Sequence, residues 1–125
     1  MKKLVYLISP DKIEKNFYPD LNKVLSFKNV SFFQLRLKNI GSNNLLKIAK
    51  KIKKITTKHK VKFIIDDNFI VSHKIRSDGC HMGQLDGSFK IARNKLKNKI
   101  LGITCHNSKI LAKKALKNKA DYLAF

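Results

Sequence analysis

Short apolar runs of strand length recur along this chain and alternate with longer stretches of helical period, and few folds accommodate that alternation. Val30 to Leu37, VSFFQLRL, reads as a strand, as do Leu4 to Ser9, Val61 to Ile65, Cys80 to Met82, Ile100 to Thr104 and Tyr122 to Phe125. Lys12 to Phe27 is helix-compatible, with Pro19 predicted to break it. Gly41-Ser42 opens a helix whose Leu45, Ile48, Ala49, Ile52 and Ile55 form one stripe, while Lys47, Lys50, Lys51, Lys53 and Lys54 take the other faces. Asn68 to Arg76 is a short helix, and Ser88 caps another that runs through Leu96. Ser108 to Lys117 is a helix expected to turn Ile110, Leu111 and Ala115 inward. Such unbroken strand–helix alternation implies an α/β fold with a parallel sheet and right-handed crossovers. Neither a Gly-x-Gly-x-x-Gly turn after the first strand nor a Walker-type loop is present, so a nucleotide-binding doubly wound sheet has no direct support.

The length of 125 residues suits one domain, 1–125, and no second. No apolar run reaches the length of a transmembrane helix, and Leu4 to Ile8 is too short for a signal peptide. Cys80 and Cys105 lack Cys-x-x-Cys spacing, which fits a reducing, cytoplasmic setting. The net charge of +20, from 28 Lys+Arg against 8 Asp+Glu, raises the question of nucleic acid. Only Arg36, Arg76 and Arg93 are arginines, and nothing resembles a reading helix or an RNA-binding sheet motif. The charge is read as a solvated lysine face, with no membrane partner and no nucleic-acid partner.

The polar residues fall in one place. Gln34, Arg36 and Lys38 alternate at the end of strand two and share a face. Asp66 and Asp67 follow strand three, Gln84 and Asp86 follow strand four, and Thr104, His106 and Asn107 end or follow strand five. All lie at C-terminal strand ends, the rim on which parallel α/β folds build active sites. Three of the eight acids stand there, opposite two cations, a pattern that suits a metal-bound phosphate or diphosphate. The plainer alternative is an internal salt-bridge cluster. Asp78 and Asp121 precede strands and are assigned turn and helix-stop roles; Asp11, Glu14 and Asp20 are assigned capping or surface roles. Adjacent Cys105 and His106 must point to opposite faces of a strand, which argues against a nucleophile–base pair, and neither Cys-His pair has zinc-finger spacing. His81 is expected to shape the rim beside Gln84; His59 and His73 are expected on helix surfaces; Phe32, Phe33 and Phe63 are expected in the core.

Gln34-Leu35-Arg36-Leu37-Lys38, Asp66-Asp67 and Asp78-Gly79-Cys80-His81-Met82-Gly83-Gln84-Leu85-Asp86 resemble the thiamine-phosphate synthase family. Gly102-Ile103-Thr104-Cys105-His106-Asn107 and Ala120-Asp121-Tyr122-Leu123-Ala124-Phe125 continue the likeness in the same order, so that it covers essentially the whole chain. The resemblance implies a (β/α) barrel of TIM type and a transferase that joins hydroxymethylpyrimidine diphosphate to a thiazole phosphate, giving thiamine phosphate and diphosphate. It implies that Gln34, Leu35, Arg36, Leu37, Lys38, Asp66 and Thr104 bind the pyrimidine diphosphate. In that reading Arg36 and Lys38 act on its charge, and Asp67 and Asp86 hold Mg²⁺. Catalysis would be a Mg-assisted dissociative substitution.

Two departures from the family pattern bear on this. Asp66 stands where the family usually has Asn, so it is read either as an added metal ligand or as support for one. A full barrel needs about 200 to 250 residues, so the chain is expected to be truncated after about six strands and to carry mainly the pyrimidine-diphosphate half of the site. A homo-oligomer or a complementing C-terminal fragment is the expected partner. The alternative functions are a catalytically incomplete fragment or a thiazole tautomerase-like relative.

Overall fold

The computed structural model describes residues 3–125. Six strands alternate with five helices: β1 (Val5–Ile8), α1 (Phe17–Val24), β2 (Val30–Leu35), α2 (Ser42–Lys58), β3 (Lys62–Asp66), α3 (Phe69–Ile75), β4 (Gly79–Met82), α4 (Phe89–Leu96), β5 (Ile100–Thr104), α5 (Lys109–Lys117) and β6 (Tyr122–Ala124). Every neighbouring pair is parallel, and the spatial order is the chain order, β1 to β6. An order without reversal has no switch point. With right-handed crossovers, every helix therefore falls on the same face of the sheet.

That helix-covered face holds the core. Phe33, Leu35, Phe63 and Ile65 meet Leu21, Leu25, Leu45, Ala49, Ile52, Val71 and Ile75 in one cluster. Cys80, Met82, Leu101, Ile103 and Cys105 meet Phe89, Ala92, Leu96 and Ala115 in a second. Strand register keeps Leu35, Ile65, Cys80 and Leu101 in one row across four strands, so one-residue slippage would turn that whole row away from the helices.

The opposite face curls in on itself. Five strand intervals at roughly 4.8 Å would hold β1 and β6 about 24 Å apart in a flat sheet. Instead the Tyr6 and Tyr122 hydroxyls are 2.6 Å apart and their rings pack edge to face with centroids 5.7 Å apart. The sheet is thus the arc of a β/α barrel, with these two side chains meeting across its interior. Gly102 makes room for this meeting, because a Cβ there would collide with the Tyr122 ring.

Local chemistry sets the ends of the elements. Asn68, Ser88 and Ser108 cap α3, α4 and α5 by accepting from Val71 N, Ile91 N and Leu111 N at 2.9, 3.2 and 3.2 Å. Pro19 does not break α1. It sits in the first turn, where its missing N–H has no partner to lose. Ile110 is 80% exposed, not inward; Leu111 and Ala115 make the helix contact. Phe32 faces the interior and stacks on Tyr6 with centroids 5.5 Å apart, whereas Phe33 and Phe63 are in the helix-side core. Asp78 and Asp121 tie strands together at the end away from the rim. Asp78 accepts from Phe63 N at 2.8 Å, and Asp121 accepts from Leu101 N at 2.8 Å and from the Arg93 guanidinium at 2.7 Å.

Candidate active site

At the C-terminal strand ends the interior opens into a cavity of about 660 Å³, within the usual size of a small-molecule site. Gln34, Arg36, Lys38, Asp66, Asp67, Gln84, Asp86, Thr104 and His106 all line it. Arg36 and Lys38 lie just past the end of β2, which closes at Leu35. Leu35 and Leu37 are placed differently. Alternation turns their side chains to the helices, where Leu35 is in the core and Leu37 packs against it, so neither reaches the cavity.

One end of the cavity is charged. Lys38 Nζ donates to Asp67 at 2.5 Å and to Asp66 at 3.2 Å, while the Arg36 guanidinium lies 3.7 Å from Asp66 and 3.5 Å from the exposed Asp11. Asp67 has φ of 65°, a left-handed turn between β3 and α3 that Asp tolerates better than most residues. Its N–H donates to the His81 carbonyl at 2.7 Å, which fixes the turn and directs the side chain over the rim. Across from it Asp86 curls back to accept from Gly83 N at 2.6 Å, in space that a side chain at position 83 would occupy.

Asp67 and Asp86 lie close enough for each carboxyl to shift the proton affinity of the other. Burial would raise Asp67, but the bonds from Asp86 and Lys38 outweigh it and hold the carboxyl below its ordinary range. Burial and the Asp67 neighbour push Asp86 up. Asp66, with a side chain only 6% exposed, is raised to about 6 by burial and by Asp67, against the pull of Lys38 and Arg36. Lys38 is raised, chiefly by its bond to Asp67. Among the described residues no group of three or more His, Cys, Asp or Glu side chains is placed to hold a metal; the Asp67–Asp86 pair is the convergent acidic element of the cavity.

The other end is neutral and built from hydrogen bonds. His81, 9% exposed, points inward between Thr104 and Tyr122, and burial lowers its basicity. Gln84 donates to the Thr104 carbonyl at 2.7 Å. Tyr6 and Tyr122, which sequence reasoning did not select, line this end; burial raises both hydroxyls, Tyr6 to about 12. Their signal was a phenol in otherwise apolar strands, which needs a partner when buried. Cys105 is buried toward the helices and His106 faces the cavity, so the adjacent pair does point apart.

The sequence pattern described as thiamine monophosphate synthase matches residues 5–125. The chain is 61% identical over 125 residues to the thiamine-phosphate synthase of Pelagibacter ubique (strain HTCC1062), covering 99% of this chain and 60% of that protein. It is 36% identical over 124 residues to that of Erythrobacter litoralis (strain HTCC2594), covering 97% and 58%. Among solved structures it is similar to thiamine phosphate pyrophosphorylase from Pyrococcus furiosus, with a TM-score of 0.82, 27% identity, and coverage of 98% of this chain and 58% of that one. The chain thus spans about three-fifths of the length of these relatives.

Proposed function

The chain belongs to the thiamine monophosphate synthase family, and from that premise we propose that its rim cavity binds hydroxymethylpyrimidine diphosphate for transfer to a thiazole phosphate, yielding thiamine phosphate and diphosphate. One observation carries this reading: the cavity is divided, with Arg36, Lys38, Asp67 and Asp86 at one end, His81 and Thr104 at the other, and Gln34 between them, bonded to Asp66 and Tyr6. A ligand with a charged tail and a neutral hydrogen-bonding ring fits such a division.

In the transfer, the C–O bond between the pyrimidine methylene and diphosphate breaks, and its electrons leave with diphosphate. The thiazole nitrogen then forms the new bond to that carbon. No protein nucleophile is needed, so the residues act by charge and position. Arg36 and Lys38 meet the charge that grows on the leaving oxygens, as cations already positioned by Asp66 and Asp67. Gln34 and Thr104 hold the ring.

Asp67 and Asp86 are the residues that would hold Mg²⁺. Two neighbouring carboxylates that shift one another's proton affinity favour a proton or a cation between them, and Mg²⁺ takes one or two carboxylates and completes its shell with phosphate oxygens and water. When bound, the ion supplies further positive charge to the departing diphosphate. Asp66 is better engaged as a partner of Lys38, Arg36 and Gln34 than as a third ligand.

Calorimetric titration of the chain with hydroxymethylpyrimidine diphosphate tests this. Binding is expected in Mg²⁺ and is expected to vanish in EDTA and in Asp67→Ala and Asp86→Ala. Unchanged binding in both variants, or none by a demonstrably folded sample, would overturn the reading.

A further inference from the structure

A chain of hydrogen bonds runs beneath the cavity through all six strands. Gln34 Nε2 donates to Asp66 Oδ1 at 2.9 Å, and Tyr6 OH donates to Gln34 Oε1 at 2.7 Å. Tyr6 OH meets Tyr122 OH at 2.6 Å, Tyr122 OH meets His81 Nδ1 at 2.8 Å, and His81 Nε2 meets Thr104 Oγ1 at 2.8 Å. Register supports it, because Asp66, His81, Gly102 and Tyr122 lie in one inward row across β3 to β6.

The direction of every bond follows from one end. Gln34 turns its NH₂ to Asp66 Oδ1 and its carbonyl oxygen to Tyr6, so that this carbonyl can only accept the Tyr6 proton. Tyr6 has one proton, which that carbonyl takes, so toward Tyr122 it can only accept. Tyr122 therefore gives its proton to Tyr6 and must accept from His81 Nδ1–H. A neutral imidazole protonated on Nδ1 has a bare Nε2, which takes the Thr104 hydroxyl proton. What Thr104 then offers the cavity it lines is a lone pair.

We propose that this relay, set by the orientation of the Gln34 amide, fixes His81 as the Nδ1–H tautomer and presents the Thr104 oxygen as a hydrogen-bond acceptor, so that the site selects a ring bearing an N–H donor at that point. Tyr6, Tyr122 and His81 are positioning residues in this account; Thr104 makes the contact. The choice of ring rests on the pyrimidine reading above, whereas the direction of the relay does not.

The relay makes a prediction at a distance. Removing the Tyr6 hydroxyl leaves the Tyr122 proton without its acceptor. It then turns to His81 Nδ1, the imidazole proton moves to Nε2, and the Thr104 hydroxyl proton is released toward the cavity. Long-range ¹H–¹⁵N NMR of the full chain, with His81 assigned through a His81→Gln spectrum, reads the tautomer directly and without ligand. Nδ1–H is expected in the parent chain, and Nε2–H in Tyr6→Phe and in Tyr122→Phe. Nε2–H in the parent, or no change in either variant, would overturn the relay.

A second arm reads the selectivity, using two hydroxymethylpyrimidine diphosphates in Mg²⁺ that differ only in an amino or an oxo group on the ring. The parent chain is expected to favour the amino compound by about tenfold, the worth of one neutral hydrogen bond, and Tyr6→Phe to lose that preference. Equal affinities in the parent would overturn the selectivity. Binding of neither compound beside an Nδ1–H signal would instead sink the pyrimidine reading and leave the relay standing.

Discussion

At the scale of the residue, Asp66 shows how much one carboxyl can be made to do. Its side chain is almost fully covered, and it accepts from Gln34 and Lys38 with the Arg36 guanidinium close by. Burial still dominates, leaving it at about 6. Because its folded value lies above the ordinary value of 3.8, the folded chain holds a proton there that the unfolded chain has lost. Stability in metal-free buffer should therefore fall as pH rises from about 4 to about 6. Asp66→Asn keeps an acceptor for Gln34 and should remove that slope. It should be the more stable form at pH 7 by about 1–2 kcal/mol, a figure reduced for solvent screening, as read from urea midpoints across that range. A variant as pH-dependent as the parent would show that Lys38 and Arg36 fully compensate the burial.

The rim was legible at this scale because strand alternation alone puts Gln34, Arg36 and Lys38 on one face. The same alternation sends Leu35 and Leu37 to the other, where the structure has them. Family likeness assigned the whole five-residue run to substrate; Gln34, Arg36 and Lys38 line the cavity, and Leu35 and Leu37 do not. Tyr6 and Tyr122 could not be paired from sequence, since their contact spans 116 positions and depends on the curl of the sheet.

Among the elements, the helices begin well and end under strain. The cap of α4 was readable as Ser88, because a short polar side chain before an apolar run has one local use; Asn68 and Ser108, read as the first residues of their helices, cap α3 and α5 in the same way. The ends were less readable. Lys60, Arg76 and Lys119 take left-handed conformations that glycine usually fills after a helix, with φ of 57°, 55° and 59°. Lys60→Gly, two residues past the end of α2, is expected to stabilise the chain by about 0.5–1 kcal/mol, measured as a raised denaturation midpoint with an unchanged denaturant slope. A loss of stability there would mean that the Lys60 side chain makes contacts worth more than its backbone strain. Ile110 was misassigned because a three-residue stripe on a short helix fixes its face only loosely.

For the molecule as a whole, the inward face is what distinguishes this arc from an ordinary open sheet. Tyr6 and Tyr122 join its first and last strands, and burial holds both hydroxyls in their neutral form. Stability should therefore fall above pH 10, the ordinary phenol value, as ionisation of the unfolded chain draws protons off. Tyr6→Phe/Tyr122→Phe should be less stable at pH 8 yet lose less between pH 10 and 11.5, by thermal melts. Equal losses would place the alkaline transition on the lysines instead. The parallel α/β architecture was legible from the unbroken strand–helix alternation, whereas the barrel type was implied by the family resemblance; the strand order without reversal, which puts every helix on one side, is seen in the structure. The polar interior was not legible, since which strand residues face inward depends on register and closure together.

The central claim is that this rim takes a diphosphate with a divalent ion between Asp67 and Asp86. Mn²⁺, a paramagnetic stand-in for Mg²⁺, tests it when titrated at low occupancy into the ¹⁵N-labelled chain with and without hydroxymethylpyrimidine diphosphate. The amides of Asp67, Gly83 and Asp86 should broaden first, and more strongly once the diphosphate is present. Broadening centred elsewhere, or untouched by the diphosphate, would contradict the account.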